Sequence, residues 1–219
     1  MPTNQPTDLD VLGLISTTGF RDEFSGTSLS NSWSATYGSG QSGTVGNGQF
    51  VLALGTNPGV QSTILRTSTP YTPPFVAGFC ISTDSYLSNQ QIQLGVISTT
   101  STDGAAIIIN TASNNDSTAQ FQSTRDGIGS SFAPINIPQF LYPSSYLLFK
   151  IDVLNAETKL RVFSIGTTNS GTLSVPNSLY TCVPNISQSY QVYIKAINLA
   201  NAPAFANNLR VKAAYLFQY

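Results

Sequence analysis

Histidine is absent from the 219-residue chain, and with it goes the side chain that most often serves as a general base or zinc ligand near neutral pH. No Ser-His-Asp or Cys-His arrangement can be assembled, however many hydroxyls are present. Cysteine occurs twice, as Cys80 and Cys182, each in an apolar setting. Two thiols without His fall short of a four-ligand zinc site, so no metal and no cofactor is expected. The thiols read as reduced and buried, with a disulfide as the alternative. Charge is equally scarce: Asp, Glu, Lys and Arg make up 9% of the chain, with 9 basic and 10 acidic residues, against roughly 25% in an average soluble domain. The basic residues run from Arg21 to Lys212 with no cluster beyond Lys159 and Arg161. Nucleic acid, which demands clustered cations to displace counterions, is therefore not an expected partner. No apolar run approaches the ~18 residues that would read as a membrane span. The short segment Val11–Ile15 has no Lys or Arg before it and is too short for the apolar core of a secretory signal. Synthesis in the cytosol is the expectation.

Uncharged polar side chains fill the gap that charge leaves. The chain has 28 Ser, 24 Thr, 17 Asn and 13 Gln, together more than a third of its residues. Apolar residues still make up 41% and aromatics 11%, enough buried surface to offset the ordering entropy of a folded domain. Residues 1–19 read as an arm: a Pro-, Thr- and Asn-rich start, then a short apolar segment from Leu9 to Ile15. Residues 20–219 read as one domain. Within it, apolar runs of strand length alternate with turn chemistry. Asn47-Gly48 introduces Gln49–Leu54, and further runs cover Gln61–Leu65, Phe75–Ile81, Gln91–Ile97, Ala105–Asn110 and Ala119–Ser123. Tyr146–Val153 and Thr158–Ile165 read as a hairpin with Glu157 in its turn, and Gln191–Ile197 and Leu209–Phe217 complete the series. No window sustains helical periodicity. The pattern predicts an all-β domain of about ten to twelve strands in two packed antiparallel sheets, each strand burying one face.

The opening Phe20-Arg21-Asp22-Glu23-Phe24-Ser25-Gly26-Thr27-Ser28-Leu29-Ser30-Asn31-Ser32-Trp33 resembles the start of concanavalin A-like lectin/glucanase domains. The resemblance continues through Val45–Leu52, the hairpin Tyr146–Ile165 and the closing strand Leu209–Tyr219. It implies a two-sheet antiparallel jelly-roll sandwich, and a physical reading of the same residues makes Phe24 and Trp33 core plugs between the sheets. The fold houses lectins, hydrolases and structural modules alike, so it does not by itself choose among them. The glucanases of this family resemble one another in a Glu-x-Asp-x-x-Glu type of strand, and this chain has none. Asp22 and Glu23 are adjacent and would point to opposite faces of a strand, and a glycosidase needs two carboxyls flanking one bond. The expectation is a domain that is not an enzyme.

For ligand contacts, the loop Asn114-Asn115-Asp116-Ser117 supplies the amide and carboxylate oxygens that hydroxyl-rich ligands require. Tyr86, with Tyr37, Tyr71 and Tyr142, offers rings on which a sugar can stack. Candidate ligand-binding residues are thus Asn114, Asn115, Asp116 and Tyr86. The low charge, the Ser/Thr/Asn-rich surface and the Pro-rich arm are similar in style to bacteriophage capsid-decoration and tail-associated proteins. The expectation is a virion structural protein, homo-oligomeric, attached to other virion proteins through residues 1–19, located on the virion and able to touch host glycans. A carbohydrate-binding lectin module is the alternative, and a polysaccharide hydrolase the second alternative.

Overall fold

The computed structural model describes residues 18–111, 117–126, 128–131, 134–137, 140–141, 146–154, 157–164, 170–176 and 184–219. Among these there are sixteen strands and no helix: β1 Gly19–Asp22, β2 Trp33–Thr36, β3 Ser42–Gly46, β4 Gln49–Ala53, β5 Gln61–Arg66, β6 Phe75–Thr83, β7 Gln90–Ser98, β8 Gly104–Thr111, β9 Ser117–Arg125, β10 Ile128–Ser131, β11 Ile135–Ile137, β12 Leu147–Val153, β13 Glu157–Ser164, β14 Ser170–Pro176, β15 Tyr190–Asn198 and β16 Asn208–Gln218. The first sheet runs β14-β13-β12-β6-β16-β4-β3, with β1 also paired to β16; the second runs β10-β9-β8-β7-β15-β5-β2, with β11 also paired to β9. All named pairings are antiparallel. This is the jelly-roll sandwich expected from the sequence.

Sixteen strands exceed the ten to twelve read from the pattern. The additional ones include β1, β2, β3, β10, β11 and β14, of three to seven residues. Most are built from Gly, Ser and Thr, so they carry too little apolar alternation to announce themselves. Asn47 and Gly48 have φ of 54° and 68°, the left-handed pair of a tight hairpin turn, and they close β3 onto β4.

Inward-facing side chains of both sheets form one core, with Phe50, Leu52, Ile64, Phe75, Phe79, Ile92, Leu94, Ile107, Phe121, Phe149, Tyr190, Ile194 and Leu209 among its members. Phe24 and Trp33 belong to it, their rings 5.8 Å apart, and Phe24 meets Phe50 at 5.9 Å. The two are the inter-sheet plugs that their aromatic side chains led one to expect.

The sheets differ in how their outer faces are treated. In the second sheet β15 alternates buried and half-buried positions along its whole length. In the first sheet every residue of β6 and β12 is buried, which departs from the expectation that each strand buries one face. Val76, Cys80, Leu148 and Tyr215 form a second apolar cluster on the outer side, and Lys150 and Asp152 are buried beside them. Gly78 makes room there: a Cβ on it would stand 2.1 Å from Cζ of Tyr215, so the phenol ring lies directly over the glycine backbone. Cys80 is buried as expected, whereas Cys182 lies outside the described residues.

Candidate functional site

Most acidic side chains of the described residues serve the fold. Asp22 accepts the Trp33 Nε1–H at 2.8 Å through Oδ2 and the Phe24 N–H at 2.8 Å through Oδ1. It thereby gives the buried indole the polar partner it requires. Glu23 pairs with Arg21 at the surface. Asp84 is gripped by Arg210 through Nε and Nη2 and accepts the Asn208 amide at 2.6 Å. The Arg210 hydrogen bonds hold its carboxyl below the ordinary Asp value. Asp152 accepts the Tyr219 hydroxyl at 2.7 Å.

Asp103 is buried; its Oδ1 accepts the Asp126 N–H at 2.7 Å, while its Oδ2 has no partner among the described residues. The sequence pattern sets Glu157 in a hairpin turn, but in the structure it opens β13. β13 begins one residue earlier than the sequence reading because Glu157 pairs with Pro176 of β14, while Thr158 faces Val153 and is buried.

The outer face of the second sheet is different in kind. Register places Gln91, Gln93 and Gly95 of β7 on it, opposite Ile197, Lys195 and Tyr193 of β15 on one side and Asn110, Ile108 and Ala106 of β8 on the other. Beyond β8 stand Thr118, Gln120 and Gln122 of β9, and beyond β15 stand Thr63 and Leu65 of β5. None of these outward positions is Asp or Glu. The amides are linked: Gln93 Nε2 donates to Gln91 Oε1 at 2.7 Å, and Gln91 Nε2 donates to Asn110 Oδ1 at 2.8 Å. Such a one-way relay fixes the side chains and leaves an acceptor at the Gln93 end and a donor at the Asn110 end. Tyr193 lies flat against its neighbour strand, since a Cβ on Gly95 would come within 2.7 Å of Tyr193 Cε1. Burial holds the phenol in its neutral form, with the pKa pushed up to about 12. An immobilised amide row beside a flat ring is what hydroxyl-rich ligands need: paired donors and acceptors, and a platform for C–H faces.

Of the candidate ligand residues read from the sequence, Tyr86 is among the described residues. Tyr86 is half-buried in the β6–β7 connection, where the Asn207 side chain donates to the Ser85 carbonyl at 3.0 Å and the Tyr86 carbonyl at 3.3 Å. That connection is further tied by Asn89 Nδ2 to the Ala202 carbonyl at 3.1 Å. Asn114, Asn115 and Asp116, like Tyr142, lie outside the described residues. The Tyr86 connection adjoins the Gln91–Asn110 end of this face, since it leads into β7 at Gln90. Tyr37 is exposed, whereas Tyr71 is buried and exchanges two backbone hydrogen bonds with Tyr190 at 2.9 and 2.8 Å. Tyr71 is therefore a structural residue and not a stacking platform, because its strand-like bridge draws the ring into the core. Sequence reading passes over Gln91, Gln93, Asn110, Tyr193 and Lys195. The signal is present in Gln91-Ile92-Gln93-Leu94 and Gln191-Val192-Tyr193-Ile194-Lys195, where amide, phenol and ammonium groups alternate with core residues.

No protein-family model matches the sequence, and no curated protein matches it. Solved structures do. The chain is similar to the endo-β-1,3-glucanase from Pyrococcus furiosus, with a TM-score of 0.67 at 12% identity, covering 91% of this chain and 93% of that one. It is similar to the potassium-bound carbohydrate recognition domain of Emp46p, with a TM-score of 0.58 at 10% identity, covering 85% and 88%. It is also similar to the catalytic domain of an endo-1,3-β-glucanase (laminarinase) from Thermotoga petrophila RKU-1, with a TM-score of 0.60 at 10% identity, covering 91% and 96%. The fold is thus that of the concanavalin A-like lectins and glucanases, as the opening motif implied. One expectation is corrected by these neighbours. The missing strand motif reads as a domain that is not an enzyme, yet catalytic glucanase domains are among its structural neighbours. The absence of one strand motif does not make this fold inert, since catalytic domains share it.

Proposed function

We propose that this β-sandwich binds carbohydrate, and that it does so on the outer face of the second sheet with the adjoining Tyr86 loop. The observation that carries the reading is the Gln93–Gln91–Asn110 amide relay beside Tyr193, which is flattened on Gly95. The lectin and glucanase neighbours support a carbohydrate ligand for the fold. The test is a glycan array followed by calorimetry. Wild type should bind at least one glycan at micromolar to millimolar affinity, and Tyr193→Ala or Gln93→Ala should weaken it about tenfold, the loss of one to two hydrogen bonds or a stacked ring. A blank array, or binding indifferent to both substitutions, sinks the proposal.

The setting we propose for this binding is a virion surface, with residues 1–19 holding a homo-oligomer to other virion proteins. The support is compositional: a nearly neutral, Ser/Thr/Asn/Gln-rich skin suits packing against like copies through neutral hydrogen bonds. Mass spectrometry of purified particles should find the chain at fixed copy number, and deletion of residues 2–19 should abolish attachment. A second reading, glycan hydrolysis, is favoured by the catalytic-domain neighbours. It predicts reducing-end release from β-1,3-glucan, and silence across a polysaccharide panel would close it.

A further inference from the structure

Among the described residues, the carbohydrate face carries a single cation. Lys195 sits on β15 between Gln93 of β7 and Thr63 of β5, two residues along the same face from Tyr193. It is half-buried, and no carboxylate occupies an outward position on β2, β5, β7, β8, β9 or β15. The acidic groups that pair within the molecule lie elsewhere. Asp22 and Asp84 are bound as described, and Asp103 and Asp126 are at the hairpin tips beyond Ser98 and Arg125. Among the described residues no carboxylate stands opposite or beside Lys195 on this face, so its ammonium is open to an anion brought by a ligand. A neutral glycan would leave that ammonium to water, whereas an acidic sugar would pair with it while its hydroxyls engage the relay.

We infer that the ligand of this face is a glycan bearing an anionic sugar, a uronic or sialic acid, whose carboxylate pairs with Lys195 while the sugar ring lies on Tyr193 and its hydroxyls meet Gln93 and Asn110. This rests on the carbohydrate reading above and adds the charge of the ligand to it. The face supplies the components of such a site in one row: the ammonium, a flat ring one pleat away, and an amide end on the neighbouring strand.

Matched ligands isolate the charge. Oligogalacturonate is compared with the same oligomer fully methyl-esterified, and sialyllactose with lactose, by calorimetry on the full chain. In at least one pair, the acidic member should bind about tenfold or more tighter at low ionic strength. That ratio should shrink as salt is raised, because the pair is partly screened, and should fall to near one in Lys195→Gln. Equal affinity for acidic and neutral members in the wild type overturns the anionic assignment while leaving carbohydrate binding intact. So does discrimination that persists in Lys195→Gln. Failure of every member of both pairs to bind overturns the assignment and the carbohydrate reading together. Circular dichroism and the urea midpoint of Lys195→Gln, expected to match wild type, separate loss of charge from loss of fold.

Discussion

At the scale of single residues, the acidic side chain nearest the opening motif shows how a functional-looking pattern can be structural. Asp22 satisfies two donors at once, the indole N–H of Trp33 and the backbone N–H of Phe24. Hydrogen bonds to charged groups are worth about 1.5–3 kcal/mol each, and a buried donor left without a partner costs a similar amount. Asp22→Ala should therefore lower the unfolding free energy by about 2–4 kcal/mol in urea titration. Asp22→Asn, which keeps one acceptor oxygen, should lose less than half of that. Equal losses would mean the carboxylate acts through something other than these two bonds. Tyr193 gives a second residue-scale test. Burial raises its pKa to about 12, so between the ordinary tyrosine value of about 10 and the folded value the unfolded chain has lost a proton that the native state retains. Its stabilising contribution is complete below about pH 10 and is lost as pH rises through about 12. Tyr193→Phe should flatten the alkaline limb of the stability curve, and tyrosinate absorbance should show one late-titrating phenol fewer.

At the scale of elements, the alternation of β15 and the continuous burial of β6 and β12 were legible to different degrees. Gln191–Ile197 announces a half-exposed strand because polar residues fall at nearly every second position, and β15 behaves so. Phe75–Ile81 announces a strand, but a run such as Phe75-Val76-Ala77-Gly78-Phe79-Cys80-Ile81 cannot say whether its second face is wet or dry. Lys150 and Asp152, charged residues in β12, argue for a wet one, and both are buried. The candidate site escapes for a related reason: Gln91, Asn110 and Lys195 are ordinary residues taken singly, and only the β8-β7-β15 register makes them neighbours. Gly78 is where the buried outer layer is most sensitive. Gly78→Ala would drive a methyl into the Tyr215 ring, because a Cβ at that position would stand 2.1 Å from Cζ, and overpacking of this kind costs about 1–3 kcal/mol. Pairing it with Tyr215→Ala should recover part of the loss, measured as a coupling in a double-mutant cycle. Additive losses would show that the ring is not what excludes a side chain there.

At the scale of the whole molecule, the scarcity of charge predicts how the sandwich responds to solution conditions. With 9 basic and 10 acidic residues the formal net charge is −1, so general charge repulsion contributes little to unfolding and salt has little to screen. The core of Phe, Ile, Leu and Val side chains that closes the two sheets is indifferent to pH. What acid sensitivity remains must come from individual carboxylates, and Asp84 is the clearest: Arg210 holds its pKa down in the folded state. A depressed carboxylate binds fewer protons folded than unfolded, so its contribution is present above the ordinary Asp value of about 3.9 and is lost as pH falls through the lower, folded value. Solvent screens this surface pair, which limits it to about 0–1 kcal/mol. The urea midpoint should therefore stay nearly level from about pH 5 to about pH 9 by the ordinary pKa ranges of carboxyl and phenol groups, and it should shift little between low and high sodium chloride. Asp84→Asn should flatten the fall below about pH 4 without moving the neutral plateau by more than that surface-pair contribution. A steep decline already between about pH 7 and about pH 5 would contradict this picture, because histidine is the side chain that ordinarily titrates in that window and the sequence has none.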